Sequence, residues 1–416
     1  MPYVPDVHVT IDGNDLSGIT LETVRVVRGR DDVYAEPRAG YAICELIDLT
    51  GTGLGIEPLQ TLSITIDDSL GAPVDLFTGI VSDTAIQLYD AGEVDGTPKG
   101  LVTVIATAPL ARLNRRVVLT GGRAEELDGD RIAAIIAAAL AATWEETGGT
   151  WADVATATTT WDTFDPGLDL DLIEQPGIYD IAALPAAAEG YAALAQATLT
   201  AQSARGIVFD TADGFVAYAD GNSRAAAVAA DGYIEIDAGI LIAGILNPTS
   251  TQSDITNRVF VEYDGGSVEY TDTASLLDYG LLANQFQTNL ADAGNAEAWA
   301  LDYLEDHARP VSKLRQVAIR LDGVDDPTID ILLAIDVNSP VNLIGLPATL
   351  GLSNNFAAFV EGLQYDLNRE TVQLSLTISD AALSFGSQQW QEVPESITWD
   401  DVLATLRWEQ ASEVAA

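Results

Sequence analysis

Apolar and polar positions alternate along most of the first hundred residues. Val7-His8-Val9-Thr10-Ile11 ends at the turn pair Asp12-Gly13, and Leu62-Ser63-Ile64-Thr65-Ile66 and Val102-Thr103-Val104 keep the same period of two. That period puts every second side chain on one face of a strand. Gly51, Gly53, Gly55, Pro58, Gly71 and Pro73 punctuate the gaps. Short strands between frequent turns predict an antiparallel barrel or sandwich over residues 1–116. After Arg116 the period changes. Ile132, Ile135, Ile136, Ala139 and Leu140 form a helical stripe preceded by Asp128 and Asp130 as candidate N-caps. A second helix is predicted over Ala187–Ser203, with Tyr191, Leu194, Ala195 and Leu199 on one face. Ile207-Val208-Phe209 and Phe215-Val216-Ala217-Tyr218 flank Asp213-Gly214 as a hairpin. Residues 117–235 therefore read as a small α+β domain, with an irregular excursion from Thr147 to Leu170.

Alternation returns at Val259, Val261 and Tyr263, turns at Asp264-Gly265-Gly266, and comes back through Val268 and Tyr270. Residues 236–386 read as a second β domain with an inserted helix near 295–309. Asn295 is its expected N-cap, Ala296, Trp299, Ala300, Tyr303, Leu304 and His307 share one face, and Pro310 stops it. The strongest hairpin runs from Val360 to Ile378, with Val372, Leu374, Leu376 and Ile378 inward. Phe77-Thr78-Gly79-Ile80 followed by the stretch at 101–110 parallels Phe359-Val360-Glu361-Gly362-Leu363 followed by the strand at 372–378, an internal echo that suggests a duplicated β domain. Beyond Phe385, Trp390, Trp399 and Trp408 fall nine residues apart. Three indoles are more than a solvated tail needs, so residues 387–416 read as a segment that docks on a neighbouring subunit or another protein.

Composition narrows the chemistry. The 416 residues carry 63 acidic and 19 basic side chains, a formal net charge of −44. Phosphate-neutralising nucleic-acid binding needs a Lys/Arg stripe, which this balance argues against. The apolar runs are shorter than the ~20 residues of a bilayer crossing, and the first residues show no basic and apolar leader pattern. Cys44, the only cysteine, alternates with apolar neighbours and reads as a buried thiol. His8 and His307 are the only histidines, each in an ordinary structural pattern, and no nucleophile-elbow or zinc-peptidase motif accompanies them. Asp165, Asp169 and Asp171 form the densest acidic cluster but lack the glycine and terminal glutamate of a calcium loop. Gly51-Thr52-Gly53-Leu54-Gly55 has no P-loop lysine and reads as a loop. No catalytic residue, cofactor or metal is assigned, and the chain is not expected to be an enzyme.

Several short phrases, in order, resemble the minor tail proteins of long-tailed, siphovirus-like bacteriophages, the group related to baseplate hub proteins. They are Val24-Arg25-Val26-Val27-Arg28-Gly29-Arg30 followed by Gly40-Tyr41-Ala42-Ile43-Cys44-Glu45-Leu46, then Leu76-Phe77-Thr78-Gly79-Ile80-Val81, and Ala106-Thr107-Ala108-Pro109-Leu110-Ala111-Arg112-Leu113. Asp130-Arg131-Ile132-Ala133-Ala134-Ile135, Asn257-Arg258-Val259 and the hairpin at Phe359–Ile378 continue the series. The asparagine-rich turn usual after the first long strand is replaced by Asp48-Leu49-Thr50-Gly51. The resemblance implies a mainly β fold with α+β insertions: two tail-tube-like antiparallel β-barrel domains, a small α+β domain and a C-terminal extension. It implies a structural subunit of the virion tail tip, made in the host cytoplasm, that self-associates into a trimeric ring. Its expected partners are an adjacent tube or distal-tail adaptor protein and downstream host-recognition proteins, with DNA passing through the lumen without specific binding. The rival expectation is a recognition module for host cell-surface polysaccharide, using loops such as Thr147–Leu170 with Trp151 and Trp161.

Overall fold

The computed structural model describes residues 6–16, 19–49, 53–90, 99–140, 168–368 and 371–383. Both β regions contribute to a single twelve-stranded sheet, which the long strand Asn355–Asn368 organises. One edge of that strand carries Val372–Asp380, with Gln316–Arg320 beyond. The other edge has two partners in succession. Asn355–Phe359 pairs with Pro340–Ile344, and Gly362–Asn368 pairs with Thr23–Gly29 of the strand Ile19–Gly29. Outside the first partner Ile234–Asp237 runs parallel to Pro340–Ile344. Outside the second follow Arg38–Asp48, Lys99–Thr107, Pro73–Asp90, Thr61–Asp67, Val7–Ile11 and Asn14–Asp15, all antiparallel. The change of partner requires a step in register, and it falls at Glu361. Val360 opposes Ile378 while Gly362 opposes Thr377, leaving Glu361 as a bulge.

Alternation sets which side chains enter the core. Leu62, Ile64 and Ile66 are buried between half-buried Ser63 and Thr65, and Val102, Val104 and Ala106 repeat the pattern. One apolar cluster runs continuously from Val9 to Ile378 across the join. Strand pairing among the described residues shows a large antiparallel sheet and no closed barrel. The C-terminal half comes nearest to closure. Just past the edge strand Ile234–Asp237, Leu241 bridges Ile319, and the Ile242 N–H donates to the Ala318 carbonyl at 2.8 Å. The echo seen in sequence corresponds to two long hairpins, 73–107 and 355–380, each with a register shift just after its Phe-containing stretch.

Two smaller units sit against this sheet. In the first, helices Asp128–Leu140 and Ala193–Ser203 pack with the hairpin Ile207–Asp210/Val216–Ala219 around Ile132, Ile135, Ala197 and Tyr218. The predicted helix from Ala187 begins instead at Ala193. Gly190 takes φ +66°, and Tyr191 and Ala192 pair as a strand with Val117 and Val118. Asp128 does not cap its own helix: its carboxylate accepts the N–H groups of Ile178 and Tyr179 and the Tyr218 hydroxyl. In the second unit, Arg258–Tyr263 pairs antiparallel with Gly266–Thr271 and parallel with Ala283–Gln287, and the helix Ala293–His307 packs on this sheet. The strands predicted around Val259 and Tyr270 therefore lie outside the large sheet. The helical face Ala296, Trp299, Ala300, Tyr303, Leu304 and His307 is buried as expected, but the N-cap is Asp292, whose carboxylate accepts from Gly294 and Asn295 N–H. No described helix is long and apolar enough to cross a membrane.

Candidate functional site

Arg28, Gly29 and Arg30 stand where the N-terminal strands meet the C-terminal ones. Gly29 takes φ +91°, and a Cβ there would lie 2.3 Å from the Glu361 carbonyl oxygen. A Cβ on Gly362 would lie 2.7 Å from the Arg30 carbonyl oxygen. Two facing glycines thus allow an approach that any other residue pair would block. The flanking arginines are buried, 3% and 5% exposed. Arg30 Nε donates to Glu361 at 2.7 Å across 331 residues of sequence, and an Arg224 guanidinium nitrogen lies 2.8 Å from the other carboxylate oxygen. Ser379 Oγ also donates to Glu361. Burial alone would push the Glu361 carboxyl up, but Arg224 and Arg30 outweigh it and hold the group at about 2. Glu361 stays ionised although fully buried, because two cations and a hydroxyl replace its hydration.

Arg28 extends the network. It donates to Asp336 at 2.7 Å and to the Asp210 carbonyl at 3.2 Å. The buried Asp210 carboxylate accepts the N–H groups of Gly40 and Leu110, both at 2.8 Å. It thereby ties the α+β unit to the sheet and to the helix that starts at Leu110. Burial raises its pKa to about 7, against the opposing pull of those N–H groups and Arg28.

Beside this seam lies a cavity of about 250 Å³, lined by Arg30, Arg205, Arg224, Tyr34, Phe286 and Trp299 among others. Trp299, on its wall, is the first ring of a helical aromatic stack. Trp299, Tyr303 and His307 recur every four residues and stack in sequence, with interplanar angles of 6° at both steps. Phe286 tilts against Trp299, and Tyr34 meets Tyr303 edge-on. Arg205 pairs with Asp302 and lies 4.0 Å from Asp306, which accepts the Tyr34 hydroxyl at 2.7 Å. Burial raises Asp306 to about 7. His307 is held as a neutral ring, its pKa lowered to about 4 by burial and by Lys313, with Nδ1 2.9 Å from the Tyr303 carbonyl. The arrangement supplies cation and aromatic surface for holding a ligand. It brings no nucleophile together with a base.

The other sequence candidates scatter. Cys44 is fully buried, and burial pushes its thiol up to about 12. His8 lies 3.4 Å from Asp67, and Asp6, His8 and Asp67 bring ligand-type atoms within 4.8 Å of one another on the first strand's edge. Asp169 caps a 3-10 turn by accepting the Asp171 N–H, and Asp171 is exposed. Gly53 and Gly55 lie in a loop with positive φ. Asp165, Trp151, Trp161, Trp390, Trp399 and Trp408 lie outside the described residues. Sequence reasoning missed Glu361, Arg205, Arg224 and Asp210. One signal was available: Glu361 is the lone charge in the apolar run Phe359-Val360-Glu361-Gly362-Leu363.

A scan of protein-family models finds no match to the chain, and no curated relative matches it by sequence. Solved structures do match. A tail protein from Neisseria meningitidis MC58 superposes with TM-score 0.55 at 12% identity, over 92% of this chain and 98% of its own. The 43 kDa tail protein of prophage MuSo2 from Shewanella oneidensis gives 0.51 at 12% identity, over 91% and 99%. The chain has the fold of phage tail proteins. The likeness runs over nearly the whole length of all three chains.

Proposed function

We propose that the chain is a structural subunit of a phage tail, the hub of the tail tip, which assembles from three copies into a closed ring. In this reading its two β regions are tube-like halves that continue the tail tube. The ring seats an adaptor protein above and host-recognition proteins below. The observation that carries the reading is the nearly whole-chain fold likeness to two tail proteins, one of them from a prophage. Two physical features support it. Asp83–Leu88 pairs with the neighbouring strand on one side only among the described residues, an edge that another chain can extend. Three copies carry three times −44 in net charge, and an acidic lumen repels DNA phosphates so that a genome slides past without binding.

Negative-stain electron microscopy of the purified chain, alone and mixed with the adjacent tail proteins, tests the proposal. Rings with a central opening and three-fold averages are the expected result. A strictly monomeric particle in every mixture overturns it, and a monomer that binds host-wall polysaccharide replaces it with the recognition-module reading.

A further inference from the structure

We propose that the arginine- and aromatic-lined cavity beside the seam is the receptor for this chain's own C-terminal segment, residues 387–416, with one indole against Trp299 and Phe286 and a neighbouring carboxylate toward the guanidinium groups. The proposal keeps the sequence reading of residues 387–416 as a docking element but departs from the expected destination, a neighbouring subunit or another protein, by naming this chain's own cavity as the site.

Size comes first. At about 250 Å³ the cavity falls below the ~300–1,000 Å³ of sites that enclose a whole small-molecule ligand, and it suits one large side chain. Its chemistry is specific. Arg30, Arg205 and Arg224 line it beside Glu36, in a chain with only 19 basic residues against 63 acidic ones, and each guanidinium has five N–H donors to share between its partner, Glu361 or Asp302, and a ligand. Trp299 and Phe286 add aromatic faces for offset stacking, and guanidinium groups hold aromatic faces as well as carboxylates. The segment carries the complementary pattern three times: Trp390-Gln391-Glu392, Trp399-Asp400-Asp401 and Trp408-Glu409. Each tryptophan has an acid within two residues.

Chain continuity points to the same molecule as the source. Ser379 donates to Glu361, and Glu361 pairs with two of the cavity's arginines. The described chain ends four residues later, at Leu383, and the segment follows from there. From Ser379 to Trp390 an extended chain reaches roughly 40 Å, and the later tryptophans reach farther.

Disulfide trapping in the full-length protein tests this, with buried Cys44 as a silent background. Gln287→Cys on the exposed rim is combined in turn with Gln389→Cys, Thr398→Cys or Arg407→Cys, each next to one tryptophan. Mild oxidation should give an intramolecular cross-link in most molecules of at least one pair, mapped by mass spectrometry, and none in the single-cysteine controls. A reducible dimer instead of an internal cross-link places a second copy's segment in the cavity and overturns the proposal. Absence of any cross-link in all three pairs, with unchanged circular dichroism, also overturns it. Ring formation by the same variants under reducing conditions is scored by microscopy, so a failed cross-link with intact rings rejects this site alone, whereas lost assembly in the parent chain rejects the hub reading.

Discussion

In the C-terminal half of the large sheet, the edge strand Ile234–Asp237 leads within a few residues to the Leu241–Ile319 bridge, and the chain covers its own far edge. In the N-terminal half, Pro73–Asp90 outruns its partner Thr61–Asp67, and Asp83–Leu88 continues with a neighbour on one side only among the described residues. Both halves use the same alternating strands and share one core. They differ in where their backbone hydrogen-bonding groups are satisfied. An edge met by its own chain stabilises the monomer, whereas an edge left projecting contributes only when another molecule meets it. The seam at Glu361 joins these two kinds of structure, so its loss should damage the monomer and loss of the projecting edge should not.

The largest effect is therefore expected at Glu361. Replacing it with alanine leaves Arg30 and Arg224 buried without their shared carboxylate, and breaking a buried ion pair in this way costs about 3–5 kcal/mol. Chemical denaturation of Glu361→Ala against the parent measures it. A loss under ~1 kcal/mol would mean that the two halves hold together through apolar burial alone. Gly29→Ala should be comparably damaging for a different reason, since the added Cβ meets backbone at 2.3 Å and cannot be relieved by a rotamer change.

Next in size is a pH effect on the units packed against the sheet. Asp210 and Asp306 have folded-state values of about 7, above the ordinary carboxylate value of about 4 in the unfolded chain. Their contribution is complete below pH ~4 and is lost as pH rises to ~7. His307, lowered to about 4, acts oppositely: its contribution is complete above pH ~6.5 and fades as pH falls through 4. Two carboxyls outweigh one imidazole, so stability should decline by on the order of a few kcal/mol between pH 4 and 7. Asp306→Asn keeps an acceptor for the Tyr34 hydroxyl but does not titrate. The parent's stability relative to this variant should fall across that window, and a constant difference would remove Asp306 from the account.

Elements whose burial follows one local period were legible from sequence. The hairpin from Phe359 to Ile378 pairs as read, with Val372, Leu374, Leu376 and Ile378 buried, although Ser375, expected outward, is buried too and Phe359 to Leu363 are buried in succession; the face from Ala296 to His307 appears as read, because it buries residues at one spacing. The seam was not legible, since Arg30 and Glu361 are separated by 331 positions and nothing local pairs them. The small sheet around Val259 was misplaced for a related reason. Its third strand, Ala283-Asn284-Gln285-Phe286-Gln287, is mostly exposed and polar, so periodicity did not mark it, and without it the Val259 hairpin looked like part of the main β region. The helix start at Asp292 was passed over because Ala293-Gly294 after it reads as loop.

A smaller effect separates the seam from the surface. If repulsion among the excess carboxylates limits stability, raising ionic strength from ~0.01 to ~1 M shortens the Debye length from ~30 to ~3 Å and should raise Tm by a few degrees. The Glu361→Ala penalty should stay constant over the same range, since buried pairs are screened much less. A Tm that is flat or falls with salt would show that the surface charges are spaced too far apart to matter.

The smallest effect on the monomer, and the sharpest break in the comparison, is expected at the projecting edge. Ile86 and Leu88 are 74% and 65% exposed, although they point to the same face as buried Val102 and its neighbour Leu46. The core thus ends before these two side chains, leaving apolar surface on a strand paired on one side only among the described residues. Replacing both with serine removes almost no buried area, so monomer stability should shift within about ±0.5 kcal/mol. If the edge is where a second copy joins, the same change should lower the fraction of rings seen by microscopy or raise the concentration needed to form them. A stability loss of several kcal/mol would instead mean that Ile86 and Leu88 are covered by this chain itself, and the N-terminal half would then be as self-contained as the C-terminal one.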